Sequence, residues 1–252
     1  MGIDWYQQKT SNTHIKPILL LFPGLSGGTN NLYTHTLAKA ALAKGFNCGV
    51  VLFRCAEDIP ITSCKLTCAA SGDDVTEAIE YVYNKYIRDA QTKEIRTRLY
   101  AYGTSLGGIL VGLHLQKHGI NAKVDGALLY CPPYDCIVGH DFFYNNFFGA
   151  YSYVLGMFLN QNLLRVALPH LRKYTTKEEG ERMEMVFSTN KTGLRTLDEE
   201  IFAPMFGYKD AYDYYRGITL AGKFNQIKVP TFSLHTLDDQ VCPSDSAPIK
   251  EA

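Results

Sequence analysis

The sequence has no surplus of charge of either sign: its 252 residues carry 25 lysines and arginines against 25 aspartates and glutamates. No nucleic-acid or polyanion partner is expected, because such binding draws on an excess of basic side chains. It also lacks any C-x-x-C pair. The seven cysteines are odd in number and scattered, and neither Cys64 with Cys68 nor Cys131 with Cys136 has the spacing of a zinc or redox site. Reduced thiols in a reducing compartment are the expectation. The N-terminal "MGIDWYQQKTSN" has no apolar core for a secretory leader, and Tyr6 stands where myristoylation after Met-Gly prefers Ser or Thr. Internal repeats and low-complexity tracts are absent. The longest run without charge, 142–164, could span a bilayer by length, but it holds five Asn and Gln, two Gly and one Ser. It reads as an apolar-aromatic surface segment or lid.

What is present is an ordinary globular balance, 46% hydrophobic and 20% charged, in a chain long enough for one well-buried domain. Short apolar runs at 17–22, 48–53, 98–103, 126–133 and 229–239 read as strands. Helical spacing joins them: Leu32, Leu37, Ala41 and Leu42 within 31–43, and Val75, Ala78, Ile79, Val82 and Tyr86 within 73–86, with Asp73 and Asp74 at the latter's N-terminus. A third helix is expected over 106–117. Apolar strands alternating with helices predict a parallel sheet covered on both faces. Residues 134 to about 216 break the rhythm, being rich in aromatics and helix formers, and read as a helical insertion. The expectation is a single α/β domain over 1–252 with a cap or lid at about 134–216.

Chemistry concentrates in "LYAYGTSLGGIL" (99–110), which contains G-x-S-x-G around Ser105. At average composition about one chain in twelve matches these three positions by accident, so placement decides. Ser105 falls between a predicted strand and a predicted helix, where a nucleophile elbow belongs. The helix N-terminus beyond it offers N–H groups and partial positive charge to a developing oxyanion. "FPGLSGG" (22–28) ends the first strong strand and supplies the second donor, so the oxyanion hole is assigned to the backbone N–H groups of Leu25 and Leu106. An acid should follow a later strand, where "TLDDQVCP" offers Asp238 and Asp239; neighbours in an extended segment point oppositely, so only one can face inward.

These stretches resemble the α/β-hydrolase fold, and within it the branch of bacterial YheT and animal ABHD proteins, over nearly the whole chain. "ILLLFPGLSGG" matches that branch's strand and oxyanion loop, and "GTSLGG" its elbow. Arg54 matches the arginine of an N-x-R-G stretch, with Cys55 where glycine is usual. "MFGYKDAYDYY" (205–215) resembles its FGY and DYY signature. In "LDDQVCPSDSAP" the resemblance makes the triad acid the aspartate four residues before Pro243, which is Asp239.

The resemblance implies hydrolysis of carboxylic esters, acylglycerols and phospholipids included, by a Ser-Asp-His triad without metal or organic cofactor. It implies a lipid-like ester substrate, a cytoplasmic or membrane-associated location and contact with a membrane surface; no protein partner is implied. Two departures bear on this. The branch has strands before the first one read here, and it continues past this chain's "PIKEA" to a catalytic histidine and a final helix. All seven histidines (14, 35, 114, 118, 140, 170 and 235) precede Asp239, so none is expected to act as the base, and a sheet edge and an apolar face should stand uncovered. A fold-retaining binding or scaffold protein, or an inactive fragment of a hydrolase, are the competing readings.

Overall fold

The apolar runs of the sequence become a six-stranded sheet in the computed structural model, which describes residues 1–7, 15–57, 59–189, 192–249 and 251. The strands are β1 (Gly2–Tyr6), β2 (Ile18–Phe22), β3 (Asn47–Leu52), β4 (Leu99–Thr104), β5 (Gly126–Tyr130) and β6 (Thr231–Leu234), in the spatial order β1-β3-β2-β4-β5-β6. β1 is antiparallel to β3, and the other four pairings are parallel. Parallel neighbours require crossovers, supplied first by helices α1 (Leu32–Ala43), α2 (Gly72–Val82) and α3 (Leu106–His118). Between β5 and β6 come α4 (Cys136–Asn145), α5 (Ala150–Leu159), α6 (Arg165–Leu171), α7 (Lys177–Ser188), α8 (Leu194–Leu197), α9 (Ala203–Met205) and α10 (Ala211–Ile218). The uncharged run 142–164 is therefore broken into several short helical pieces. Among the described residues no helix is long and apolar enough to cross a membrane.

One strand was not expected from the sequence. β1 is five residues long and half-exposed, with only Ile3 and Trp5 alternating as apolar residues, too short a pattern to register. Its register places Trp5 opposite Gly49, and the indole packs edge-on against Tyr86 with ring centroids 5.0 Å apart. In α1 the expected apolar face is also rotated: Leu32 is 81% exposed, while Thr34, Ala38 and Ala41 are buried. In α2 the expected face is the observed one, and Val75, Ala78, Ile79 and Val82 enter the main core.

Asp74 does more than sit at a helix start. Its carboxylate receives Arg54 Nε at 2.8 Å and Nη2 at 2.6 Å, and Arg54 Nη1 donates to Ser63 Oγ at 2.8 Å. This bidentate pair fastens the end of β3 to the first turn of α2. Cys55, next to it, has φ +62°, a left-handed conformation that favours glycine.

The strand order also locates the site. β2 connects to β3 on one side and has β4 on the other, so the loops leaving β2 and β4 diverge at their carboxyl ends. Such a switch point is where open α/β sheets bind ligands. At the far edge, β6 has no further strand beside it among the described residues, and Phe232 and Leu234 are exposed.

Candidate active site

Ser105 stands between the last residue of β4 and the first of α3, at φ +51° and ψ −116°. Its N–H donates to the Tyr130 carbonyl at 2.9 Å, and its own carbonyl accepts the Ile109 N–H at 3.0 Å, which locks the turn from both sides. A positive φ is costly for a residue with a Cβ and persists only where the surroundings impose it. The two flanking glycines show how they do. A Cβ on Gly107 would lie 2.0 Å from the Phe22 carbonyl oxygen, and one on Gly103 would lie 2.5 Å from the Gly107 carbonyl oxygen. Only backbone without side chains lets α3 leave β4 at this angle.

The loop after β2 passes directly over this turn. A Cβ on Gly24 would be 3.5 Å from Ser105 Cβ. The loop is held by its own bonds: Gly24 N–H to Tyr33 Oη at 3.1 Å, Gly27 N–H to the Gly24 carbonyl at 2.9 Å and Gly28 N–H to Asn31 Oδ1 at 2.6 Å. Neither the Leu25 N–H nor the Leu106 N–H has an acceptor among the described residues. Leu25, Ser105 and Leu106 line one cavity of about 450 Å³. Its wall is largely apolar, and its far side is built by α4, α5, α8 and α10, through Phe143, Leu155, Leu194 and Ile218 among others.

Asp239 is half-buried and Asp238 exposed. Asp239 Oδ1 accepts the Val241 and Cys242 N–H groups, each at 2.8 Å. Asp239 is not on the cavity wall, but Cys242 is. Burial pushes the Cys242 thiol up to about 12, the charge of Asp239 adds to the rise, and the Ser105 hydroxyl offsets part of it. Cys242 thus has Ser105 and Asp239 as neighbours, which places both at the same end of the sheet.

No described histidine is hydrogen-bonded to either. His235 Nε2 donates to the Cys242 carbonyl at 2.6 Å, and its Nδ1 is buried with no partner among the described residues. His140 lines the cavity, but its ring nitrogens lie 3.2 Å from Asp141 Oδ1 and 3.4 Å from Arg195 Nη1, and its ring stacks on Tyr144. His114 is buried beneath the sheet, where desolvation lowers it to about 4. His35 contacts Tyr6, His118 contacts Thr76, and His14 lies outside the described residues.

One polar group on the wall was missed in the sequence. Asp198 is 6% exposed, lines the cavity and accepts the Tyr215 hydroxyl at 2.7 Å. Burial raises its carboxyl to about 7, with the Tyr215 hydrogen bond and the charge of Arg195 opposing. In "LDEEIF" it reads as one of three solvated acids. The available signal was that Ile201 and Phe202, three and four residues on, are apolar and share its helical face.

A mostly parallel sheet whose switch point carries a serine on so tight a strand-to-helix turn is the architecture of an α/β-hydrolase. Solved structures agree on the fold. The acylaminoacyl peptidase of Pyrococcus horikoshii superposes with a TM-score of 0.53 at 12% identity, over 98% of this chain and 31% of that one. An esterase of Pyrococcus furiosus gives 0.53 at 12% identity, over 94% and 66%. No protein-family model matches the chain. Sequence relatives narrow the class. The chain is 27% identical over 243 residues to the monoacylglycerol lipase of Saccharomyces cerevisiae, covering 94% of this chain and 51% of that protein. It is 26% identical over 239 residues to the putative esterase YheT of Escherichia coli, covering 95% and 66%. To phospholipase ABHD3 of Mus musculus it is 24% identical over 260 residues, covering 100% and 58%. The sequence likeness is to the YheT/ABHD-like branch of the α/β-hydrolases, and the chain spans between 51% and 66% of the length of these three relatives.

Proposed function

We propose that this chain is a serine hydrolase of carboxylic esters with lipid-like acyl groups. One observation carries the reading: Ser105 is held at φ +51° on a strand-to-helix turn that opens into an apolar cavity, beside two backbone N–H groups with no acceptor among the described residues. In this reading Ser105 Oγ attacks the ester carbonyl, and the Leu25 and Leu106 N–H groups receive the oxyanion, aided by the positive end of α3. An acyl-enzyme forms, the alcohol leaves, and water releases the acid. Asp239 orients the imidazole that takes the serine proton and stabilises its cation.

Lipid-like substrates are supported by the apolar wall and by the names of the relatives, a monoacylglycerol lipase and a phospholipase among them. The helices between β5 and β6 act as a cap over the acyl chain. Tyr144, Phe148, Val154 and Phe158 are exposed on that cap, an apolar patch suited to a membrane surface.

The base is the open part of the machinery. In this fold it follows the acid in chain order, and no described histidine is hydrogen-bonded to Ser105 or Asp239. Slow turnover is therefore proposed for the 252-residue chain. The test is labelling by a serine-directed fluorophosphonate together with p-nitrophenyl decanoate hydrolysis, in the chain and in Ser105→Ala. Slow labelling confined to Ser105 supports the reading. Labelling that survives Ser105→Ala, or none under forcing conditions, favours a binding protein that keeps the fold alone.

A further inference from the structure

Asp198 is hard to explain as packing. An isolated carboxyl in an apolar wall costs stability unless it is hydrogen-bonded or paired, and among the described residues Asp198 has no ion pair and one donor. That donor, the Tyr215 hydroxyl, satisfies Oδ2. Oδ1 has no donor among the described residues, and the residue lines the cavity. Several other polar groups of this wall have protein partners. Asn31 accepts the Gly28 N–H, Tyr33 the Gly24 N–H and Ser152 the Leu194 N–H, while Thr67 donates to the Arg54 carbonyl. Asp198 is thus a nine-tenths buried acceptor turned to the same space that Ser105 opens into.

We propose that Asp198 is a specificity-determining residue whose free oxygen binds a hydroxyl of the substrate, so that the cavity selects esters bearing a free alcohol over fully hydrocarbon ones. The inference rests on the ester-hydrolase reading of this cavity. A hydroxyl fits better than a cation. With burial raising Asp198 to about 7, the group is partly protonated at neutral pH. A hydroxyl donates to the carboxylate and accepts from the carboxylic acid, whereas an ammonium group needs the ionised form alone. The nearby Arg195 guanidinium also disfavours a second cation.

Binding tests this without requiring turnover. A fluorescent apolar probe bound in the cavity is displaced by monodecanoylglycerol, methyl decanoate or decanoylcholine, in the full chain, in Asp198→Leu/Tyr215→Phe and in Tyr215→Phe alone. The double variant removes the acceptor without leaving an orphaned phenol; the single one keeps Asp198 in place. Expected is an affinity for monodecanoylglycerol about ten-fold or more above that for methyl decanoate, the scale of a hydrogen bond to a charged group. It should persist in Tyr215→Phe and vanish in the double variant. Equal affinities, loss of the preference in Tyr215→Phe, its survival in the double variant, or tightest binding by decanoylcholine would overturn the assignment and leave the hydrolase reading standing. Failure of every ester to displace the probe sinks both. Should the double variant not fold, the Tyr215→Phe result and the three-ester ranking still decide.

Discussion

The Tyr215 hydroxyl donates to Asp198 Oδ2 at 2.7 Å inside the wall of the cavity that Ser105 lines. Burial of this carboxyl makes stability depend on pH in a direction opposite to the usual surface carboxylate. Burial raises the folded Asp198 carboxyl from 3.8 to about 7. A raised folded value means that the native state binds the proton more tightly, so the contribution is complete below about pH 4 and is lost as pH rises to 7. Three units correspond to on the order of 4 kcal/mol. Asp198→Asn cannot ionise and keeps an oxygen for Tyr215. It should match the parent at pH 4 and exceed its melting temperature by roughly 10 °C at pH 8. His114, lowered to about 4 by burial, removes stability in both proteins as pH falls below 6.5 and so cancels in the comparison. Parallel melting curves across pH 4 to 8 would refute the ionisation of Asp198.

Arg54 and Asp74 form the second such anchor. Asp74 is 3% exposed in its side chain and Arg54 28%. Removing the arginine strands a buried carboxylate, so Arg54→Ala should cost about 2–4 kcal/mol, less than for a fully buried pair because water reaches the guanidinium. Cys55→Gly should fall within about 1 kcal/mol of the parent. Relief of the left-handed φ offsets the entropy that glycine loses on folding. Urea denaturation of the two variants checks the ranking, and an Arg54→Ala protein as stable as the parent would contradict it.

What the sequence revealed follows from what its patterns encode. The apolar runs at 17–22, 48–53, 98–103 and 126–133 announce β2 to β5: β2 and β3 are buried nearly throughout, while β4 and β5 mix buried with partly exposed residues that are still mostly apolar or aromatic. The serine turn was legible because a Cβ on Gly103 or Gly107 would fall 2.5 or 2.0 Å from a backbone oxygen, a need for glycine that leaves a letter pattern. β1 stayed hidden because a half-exposed edge strand needs only Ile3 and Trp5 on one side. Leu32 misled because composition marks a residue as apolar without saying that the first turn of α1 faces solvent. Asp74 looked like a helix-start acid, and its partner Arg54 lies 20 residues away. Asp198 was invisible for the same reason: burial of a charged residue is a property of the assembled wall.

The turn at Ser105 separates strain from chemistry. Ser105→Ala and Ser105→Gly both remove the hydroxyl, so both should abolish fluorophosphonate labelling. They should differ in stability. Glycine tolerates φ +51°, so Ser105→Gly should exceed Ser105→Ala by about 1 kcal/mol, or about 2–4 °C in melting temperature for a chain of this size. Equal melting temperatures would mean that the turn holds no strain.

The two aspartates of the β6 loop can be distinguished without identifying the base. If the proton acceptor is the missing element, free imidazole should accelerate acylation of Ser105 by an activated ester, to saturation. Asp239 already accepts the Val241 and Cys242 N–H groups through Oδ1, which leaves Oδ2 to orient an imidazole. Asp239→Asn should therefore reduce the imidazole-dependent rate by about ten-fold or more, a smaller loss than in an intact triad because a diffusing base is less well held. Asp238→Asn, altering an exposed side chain, should leave it within two-fold of the parent, as is ordinary for surface changes away from a site. Stopped-flow release of p-nitrophenol against imidazole concentration reads both. The reverse ranking of the two variants would move the acid to Asp238, and an imidazole-independent rate abolished by Ser105→Ala would point to His235 or His140 as a base already in place.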